Sequence, residues 1–225
     1  FGAKGAQTFI VAVDESHDEL LKLFIDGCGF RKCASESLWR VNSTDFKPYE
    51  SNTFRHFKNS DAQAVAMLFN DSLITHFKPS LLKTKNEYTD KFFIGLTDNT
   101  ELKYVLEDSN LQTLLAYLSI KTYDNYNYIL DITVSNGFEY DFDIILNFAH
   151  NEIKKRQKDF SLFVKSKKYI QNSEKFEEYL QNKNYSCVQT QMILVKDFYK
   201  LIKQEIPNHE VILFAETSGR PVFKI

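Results

Sequence analysis

The residues whose types and spacing bear on chemistry gather in one stretch, Val134 to Asp143. An apolar, β-branched run, Tyr128 to Val134, leads into it, and a helical pattern begins at Phe142. Where a strand feeds a helix in this way, the loop looks onto the unpaired N–H groups of the first helical turn, which attract anions and other acceptors. Three carboxylates, Glu139, Asp141 and Asp143, crowd that turn, with Gly137 just ahead of them. Acids at a helix N-terminus stabilise it by about 0.3–1 kcal/mol each. An anionic ligand at the same place would be repelled by roughly 4 kcal/mol per carboxylate at about 4 Å and an effective dielectric near 20. The loop is therefore either a ligand cradle whose acids turn outward or a capped helix end.

Other routes to chemistry are thinly represented. A serine nucleophile needs a strained elbow such as GxSxG, which is absent. The five histidines are scattered, none three to five residues from another, so no metal site is expected. His150 lies beside the apolar stripe of the central helix, where a satisfied or exposed imidazole is the expectation. Cys28, Cys33 and Cys187 are odd in number and without CxxC spacing, which points to a reduced, cytoplasmic protein. Tyr123, Tyr126 and Tyr128 interleave with Asn and Asp rather than Lys or Arg, so they line a groove or pack an edge rather than stack nucleic-acid bases.

The elements that must position the loop follow from periodicity. Phe142, Ile145, Leu146, Ala149 and Ile153 recur at spacings of three and four, one stripe of a helix. Asp141 and Asp143 suit its N-cap and first turn, and Lys154, Lys155 and Arg156 suit the negative end of its dipole. Ser161 to Val164 restarts a strand, giving a β–loop–α–β unit with a parallel pair. Upstream, Thr8 to Val13 is a strand, Ser16 and Glu19 form a capping box, and Leu20, Leu21, Phe24 and Ile25 make a helix stripe stopped by Gly27 and Gly29. Phe30 to Val41 is a long strand. Thr53 to Phe57 is a strand, followed by a helix capped by Ser60 and Gln63 with Val65, Leu68, Phe69 and Leu73 inward. Lys103 to Glu107 and Leu111 to Lys121 read as a hairpin. Helix at Ser173 to Asn182, strand at Tyr185 to Val195, a short helix at Phe198 to Lys203 and a strand at Glu210 to Phe214 complete the chain.

Composition narrows the function classes. With 43% hydrophobic and 15% aromatic residues, the 225-residue chain can bury a full core. A net charge of −2 supplies no field for nucleic acid or an acidic membrane surface, and no apolar run reaches the roughly 18 residues of a membrane span. The chain begins at Phe1 rather than Met, giving the expectation of a processed or truncated product. Oligomeric state is not legible. One internal repeat is: Leu21, Phe24, Ile25, Phe30 and Leu38 correspond to Phe176, Tyr179, Leu180, Tyr185 and Ile193, an offset of about one domain. The expected organisation is a closing β-α-β fragment of a preceding repeat at 1–42, a linker at 43–52, a main domain at 53–205 and a C-terminal strand and tail at 206–225.

The order β-α-(α)-β-β-β-α-β-α-β over Thr53 to Val195 resembles the GNAT (general N-acetyltransferase) superfamily. The resemblance is carried by FRHFKNSDAQAVAMLFNDSL, KYVLEDSN and YILDITVS, and the repeat resembles tandem members. It implies an α/β fold (α+β, with a mixed sheet) of the acyl-CoA N-acyltransferase kind. The two central strands, Tyr128–Val134 and Ser161–Val164, would splay just past Val134. Acetyl-CoA would lie in the split, its thioester carbonyl on backbone near Ile132 and Val134 and its pyrophosphate on the loop at Asn136 and Gly137. The family's Gln/Arg-x-x-Gly-x-Gly/Ala is here Ser135-Asn-Gly-Phe-Glu-Tyr-Asp-Phe-Asp143, which keeps one glycine and lacks the basic residue. By the same resemblance the catalytic candidates are Asp131, as base, and Tyr179, near the position of the general acid. Asp131 shares a strand face with Ile129 and Thr133. Burial there would raise its pKa toward that of a neutral-pH base, and the alternative is an edge Asp facing solvent or bonded to backbone. Tyr179 is one step off the family's spacing, on a different face, and reads as a core aromatic before it reads as an acid. The implied activity is acetyl transfer from acetyl-CoA to a small-molecule or peptide amine. The alternative is a non-catalytic GNAT-fold module with a degenerate cofactor loop, serving packing or partner binding.

Overall fold

The computed structural model describes residues 8–42, 46, 54–89, 100–108, 113–137 and 139–197. Within them the elements are β1 (Thr8–Asp14), α1 (Asp18–Lys22), β2 (Arg31–Val41), β3 (Arg55–His56), α2 (Ala62–Ser72), α3 (Lys78–Leu81), β4 (Thr100–Asp108), β5 (Thr113–Thr122), β6 (Asn127–Val134), α4 (Phe142–Lys154), β7 (Ser161–Lys167), α5 (Ser173–Asn182) and β8 (Ser186–Asp197). The strands form one mixed sheet in the order β1-β8-β2-β7-β6-β5-β4-β3. The helix and strand expected at 198–203 and 210–214, and the linker at 43–52 apart from Phe46, lie outside the described residues.

The central unit folds as its residue pattern requires. The α4 stripe is buried at Ile145, Leu146, Ala149 and Ile153, and Asp141 caps the helix by accepting the Asp143 N–H at 2.9 Å. Burying each large aliphatic side chain contributes about 1.5–3 kcal/mol, so packing rather than propensity holds this helix. One face of the sheet meets α4 and α5 through Leu118, Leu130, Val164, Phe176 and Leu180. The other meets α2 through Val65, Phe69, Val105, Tyr117 and Ile193. Strand alternation thus sends Ile132 and Val134 toward α4, and Ile129, Asp131 and Thr133 toward the α2 side.

The front stretch joins this same sheet. β2 is antiparallel to both neighbours, pairing Val41 with Leu162 of β7 on one edge and Arg31 with Val195 of β8 on the other. Its predecessor helix departs from expectation. Ser16 does not cap it; its N–H and hydroxyl turn back to the Asp14 carboxylate at 2.8 and 2.7 Å, because that acceptor is two residues away. After α1, a π-helical turn runs over Leu23–Gly27, and none of the stripe residues is fully buried. Gly29 then turns the chain into β2 at φ +70°. Gly29→Ala should cost about 1 kcal/mol through that left-handed backbone, since the added methyl meets only Lys196 Nζ at 3.9 Å; chemical denaturation would measure it.

Two further local expectations are revised. The strand expected at 53–57 is only two residues long. The cap before α2 is Asp61 rather than Ser60. Its side chain makes no cap bond to α2; the carboxylate accepts the Lys58 N–H at 2.8 Å, closing a 3-10 turn over Asn59–Asp61, and is held by the Arg55 guanidinium at 2.7 and 3.1 Å, so the N-cap position falls one residue past Ser60.

Candidate functional site

β6 and β7 run parallel from Asn127↔Ser161 to Asp131↔Lys165, and there the ladder stops. The sheet therefore opens three residues earlier than the expected point past Val134. β7 itself continues to Lys167, beyond the expected end at Val164. On the other edge of β6 the Ser135 N–H is given to the Leu115 carbonyl at 2.8 Å. With a period of two, the Val134 N–H points the opposite way, across the gap left by β7. A cleft open to solvent lies at the opening, walled by Ile132, Val134, Phe142, Lys167, Asn172 and Phe176. Ile132 and Val134, both chosen from the sequence, thus line the notch.

The described residues of the loop beyond Val134 make their own contacts with the body of the fold. The Asn136 amide donates to the Asp71 carbonyl at 2.8 Å, tying the loop to the end of α2. A methyl group at Gly137 would meet nothing within 4 Å, so packing does not demand glycine there. Gly137→Ala should leave stability within about 0.5 kcal/mol of the parent in a urea melt. Tyr140 donates its hydroxyl to the Leu115 carbonyl and anchors the loop to β5. Asp141 accepts the Asp143 N–H with its side chain and the Ile144 and Ile145 N–H groups with its carbonyl.

Asp143 is not left as a bare anion. Lys183 approaches it at 2.8 Å and Tyr179 donates to it at 2.7 Å. Burial would raise its pKa, but Lys183 and Tyr179 together hold it below the ordinary value. Tyr179 stacks on Phe176 and packs against Phe142, and burial followed by Asp143 pushes its hydroxyl pKa far up. Tyr179→Phe is expected to cost about 1 kcal/mol of stability, the worth of one such hydrogen bond at a half-exposed partner. A general-acid role would show instead as lost turnover at unchanged stability.

Asp131 lies on the opposite face of the sheet from Tyr179, so the fold does not bring these two candidates together. Its carboxylate is paired with Lys167, itself 6% exposed. Burial alone would raise the Asp131 pKa, but Lys167, Lys165 and Lys83 more than offset it and hold the group below the ordinary carboxylate value. The expected elevation is thereby corrected: desolvation is present, and three cations outweigh it. Beside this pair, Lys165 bridges Glu36 of β2 at 2.9 Å, and Tyr169 donates its hydroxyl to the same carboxylate.

Sequence reasoning missed Lys165, Lys167, Glu36 and Tyr169. Part of the signal was there. Lys165 and Lys167 are two apart at the end of a strand expected to run parallel to Tyr128–Val134, a pairing that sets Lys165 opposite Asp131. Glu36 had no such cue, because nothing local places β2 beside β7. His150 is buried, stacked on Phe46 at 4.4 Å and held below its ordinary pKa by burial. Among the described residues no cluster of His, Cys, Asp or Glu could hold a metal ion, and no helix is long and apolar enough to cross a membrane.

No protein-family model and no curated protein sequence matches this chain. Solved structures do match. A functionally unknown conserved protein from Staphylococcus epidermidis superposes with a TM-score of 0.55 at 9% identity, covering 88% of this chain and 75% of that one. A tandem GNAT protein from the clavulanic acid biosynthesis pathway gives 0.52 at 9% identity, over 87% of this chain and 66% of that one. A GCN5-related N-acetyltransferase from Sphaerobacter thermophilus gives 0.50 at 9% identity, over 85% and 60%. The chain thus spans less than two thirds of the length of the latter two. With the mixed sheet parted between β6 and β7 and helices on both faces, this chain has the fold of the GNAT superfamily.

Proposed function

We propose that this protein is an acyltransferase of the GNAT kind, acting in the cytoplasm and moving an acetyl group from acetyl-CoA to an amine. The observation that carries this reading is the parting of β6 and β7 after Asp131↔Lys165, with the Val134 N–H turned into an apolar-walled cavity. That geometry suits a thioester on a narrow pantetheine arm. The Val134 N–H would hold the carbonyl oxygen, a preorganised donor of the type that stabilises developing negative charge. Ile132, Phe142 and Phe176 would exclude water from the arm. Acetyl-CoA, when bound, supplies the activated acyl group. On the α2 side, Asp131 is held below the ordinary carboxylate value, which makes it a weak base at neutral pH, and it would orient the ammonium form of the acceptor, which gives its proton to solvent before the neutral amine attacks. Residues 1–42 are read as the closing β-α-β of a preceding repeat that lends β2 to this sheet.

The fit is uneven along the donor. The notch suits the acyl and pantetheine end, whereas the Asp141 carboxylate already takes the Asp143 N–H of α4 and Glu139 adds a second exposed carboxylate. That unevenness is the specific ground for the second reading, a GNAT-fold module without activity. A thermal-shift titration separates the two. Acetyl-CoA at 100 times its Kd adds about 2.7 kcal/mol of stability, so a clear rise in Tm is expected. No shift at millimolar acetyl-CoA would leave the module reading in its place.

A further inference from the structure

On the α2 side of the sheet lies a second, polar cavity of about 100 Å³. Lys167 is a wall of both cavities. Four lysines line it (Lys83, Lys103, Lys121 and Lys167) against three carboxylates (Glu87, Glu101 and Asp131), a surplus of one positive charge. Most of these groups satisfy one another. Glu101 accepts the Ser119 hydroxyl at 2.6 Å and faces Lys121 at 3.3 Å and Lys103 at 3.5 Å. Asp131 takes Lys167, and Glu87 accepts the Thr84 N–H at 2.8 Å.

Lys83 is the exception. Among the described residues no carboxylate forms an ion pair with its ammonium, which lies over the Phe69 ring at 4.4 Å and the Tyr88 ring at 5.5 Å. Its backbone is clamped on both sides by Asn70, whose side chain accepts the Lys83 N–H at 2.9 Å and donates to its carbonyl at 2.8 Å. The side chain therefore enters the cavity from a fixed root. Burial, followed by the neighbouring charge of Lys167, holds the ammonium below its ordinary pKa, so a bound anion would relieve it. Asp131, Glu87 and Glu36 act on this ammonium from a distance, and a fixed, partly desolvated cation with no carboxylate in direct contact is a receptor for an anionic group. The surplus of one charge, and the carboxylates nearby, favour a monoanion over a phosphate dianion.

We infer that the acceptor is a small amino carboxylic acid, its carboxylate held by Lys83 and its amine directed toward Glu101 and Asp131 beside the notch. The amine's fate rests on the acyl-transfer reading; the binding does not. The test is an NMR titration of the protein without acetyl-CoA. The probes are glycine, β-alanine and 4-aminobutyrate, each compared with its decarboxylated partner, methylamine, ethylamine or propylamine. At least one amino acid should bind about 10-fold or more tighter than its amine, the worth of one charge-assisted contact. Lys83→Met, which keeps the chain over Phe69, should abolish that difference. Absence of any amino-acid preference in the parent protein overturns the inference whether or not the variant folds, and so does a preference that survives Lys83→Met. A failed preference alongside acetyl-CoA binding removes only this acceptor class. A preference without acetyl-CoA binding removes the transferase reading and leaves the receptor.

Discussion

Lys167→Met should destabilise the protein by about 3 kcal/mol at neutral pH, the lower end of what breaking a buried ion pair costs. The size follows from what remains. Asp131 would keep its place on the sheet, 29% exposed, with its nearest cation gone and Lys165 already committed to Glu36. The sign of the pH dependence follows from the parent protein. Because the Asp131 pKa is lowered on folding, its contribution is complete above the ordinary carboxylate pKa of about 3.9 and is lost as pH falls through the folded value. In the variant, burial is less opposed and the carboxyl takes up a proton at higher pH, which removes the stranded charge. The deficit should therefore be full at pH 7 and shrink toward pH 4. Urea denaturation at both pH values measures it. A deficit under 1 kcal/mol at pH 7, or one that grows on acidification, would show that the pair is not a structural charge centre. Adding Asp131→Asn to Lys167→Met should recover much of the loss, since an unpaired charge costs more than an absent pair.

The second large effect concerns the donor loop. Asp141→Asn should tighten acetyl-CoA binding about 10-fold, and Asp141→Asn with Glu139→Gln up to about 100-fold at low salt. A carboxylate some 6 Å from a diphosphate, at an effective dielectric near 40, repels it by about 1.4 kcal/mol. Asparagine keeps the α4 cap, being as good an N-cap as aspartate, so stability should change little. Asp143 is left alone because Lys183 and Tyr179 already neutralise it. Calorimetric titration at 50 and 300 mM salt reads the effect, which should fade at the higher concentration. Unchanged affinity would place the diphosphate elsewhere. Binding that appears only in the double variant would identify this loop as the reason the parent is inactive.

Much of the scaffold was legible along the chain because its cause is local. The three- and four-residue recurrence from Phe142 to Ile153 could only bury one side of a helix, and α4 lies there with Asp141 as its cap. The β-branched run at Tyr128 to Val134 is β6, and Ile132 and Val134 border the opening between the central strands. The misplaced caps show the limit of the same logic. Ser16 and Ser60 had suitable spacing, but Asp14 takes the Ser16 hydroxyl, and a 3-10 turn over Asn59–Asp61 moves the start of α2 past Ser60.

What the sequence by itself determined was the kind of elements and the placement of the loop, since side-chain period and capping chemistry act over a few residues. Only the tertiary structure decided that β2 lies between β7 and β8, and that this brings Glu36 to Lys165. It also decided that Tyr179 closes on Asp143 and that Lys167 claims Asp131 from a strand thirty-odd residues on. Whether a carboxylate is a base or one half of an ion pair depends on which cations lie within a few ångströms. That proximity is a property of strand order, which no local period encodes.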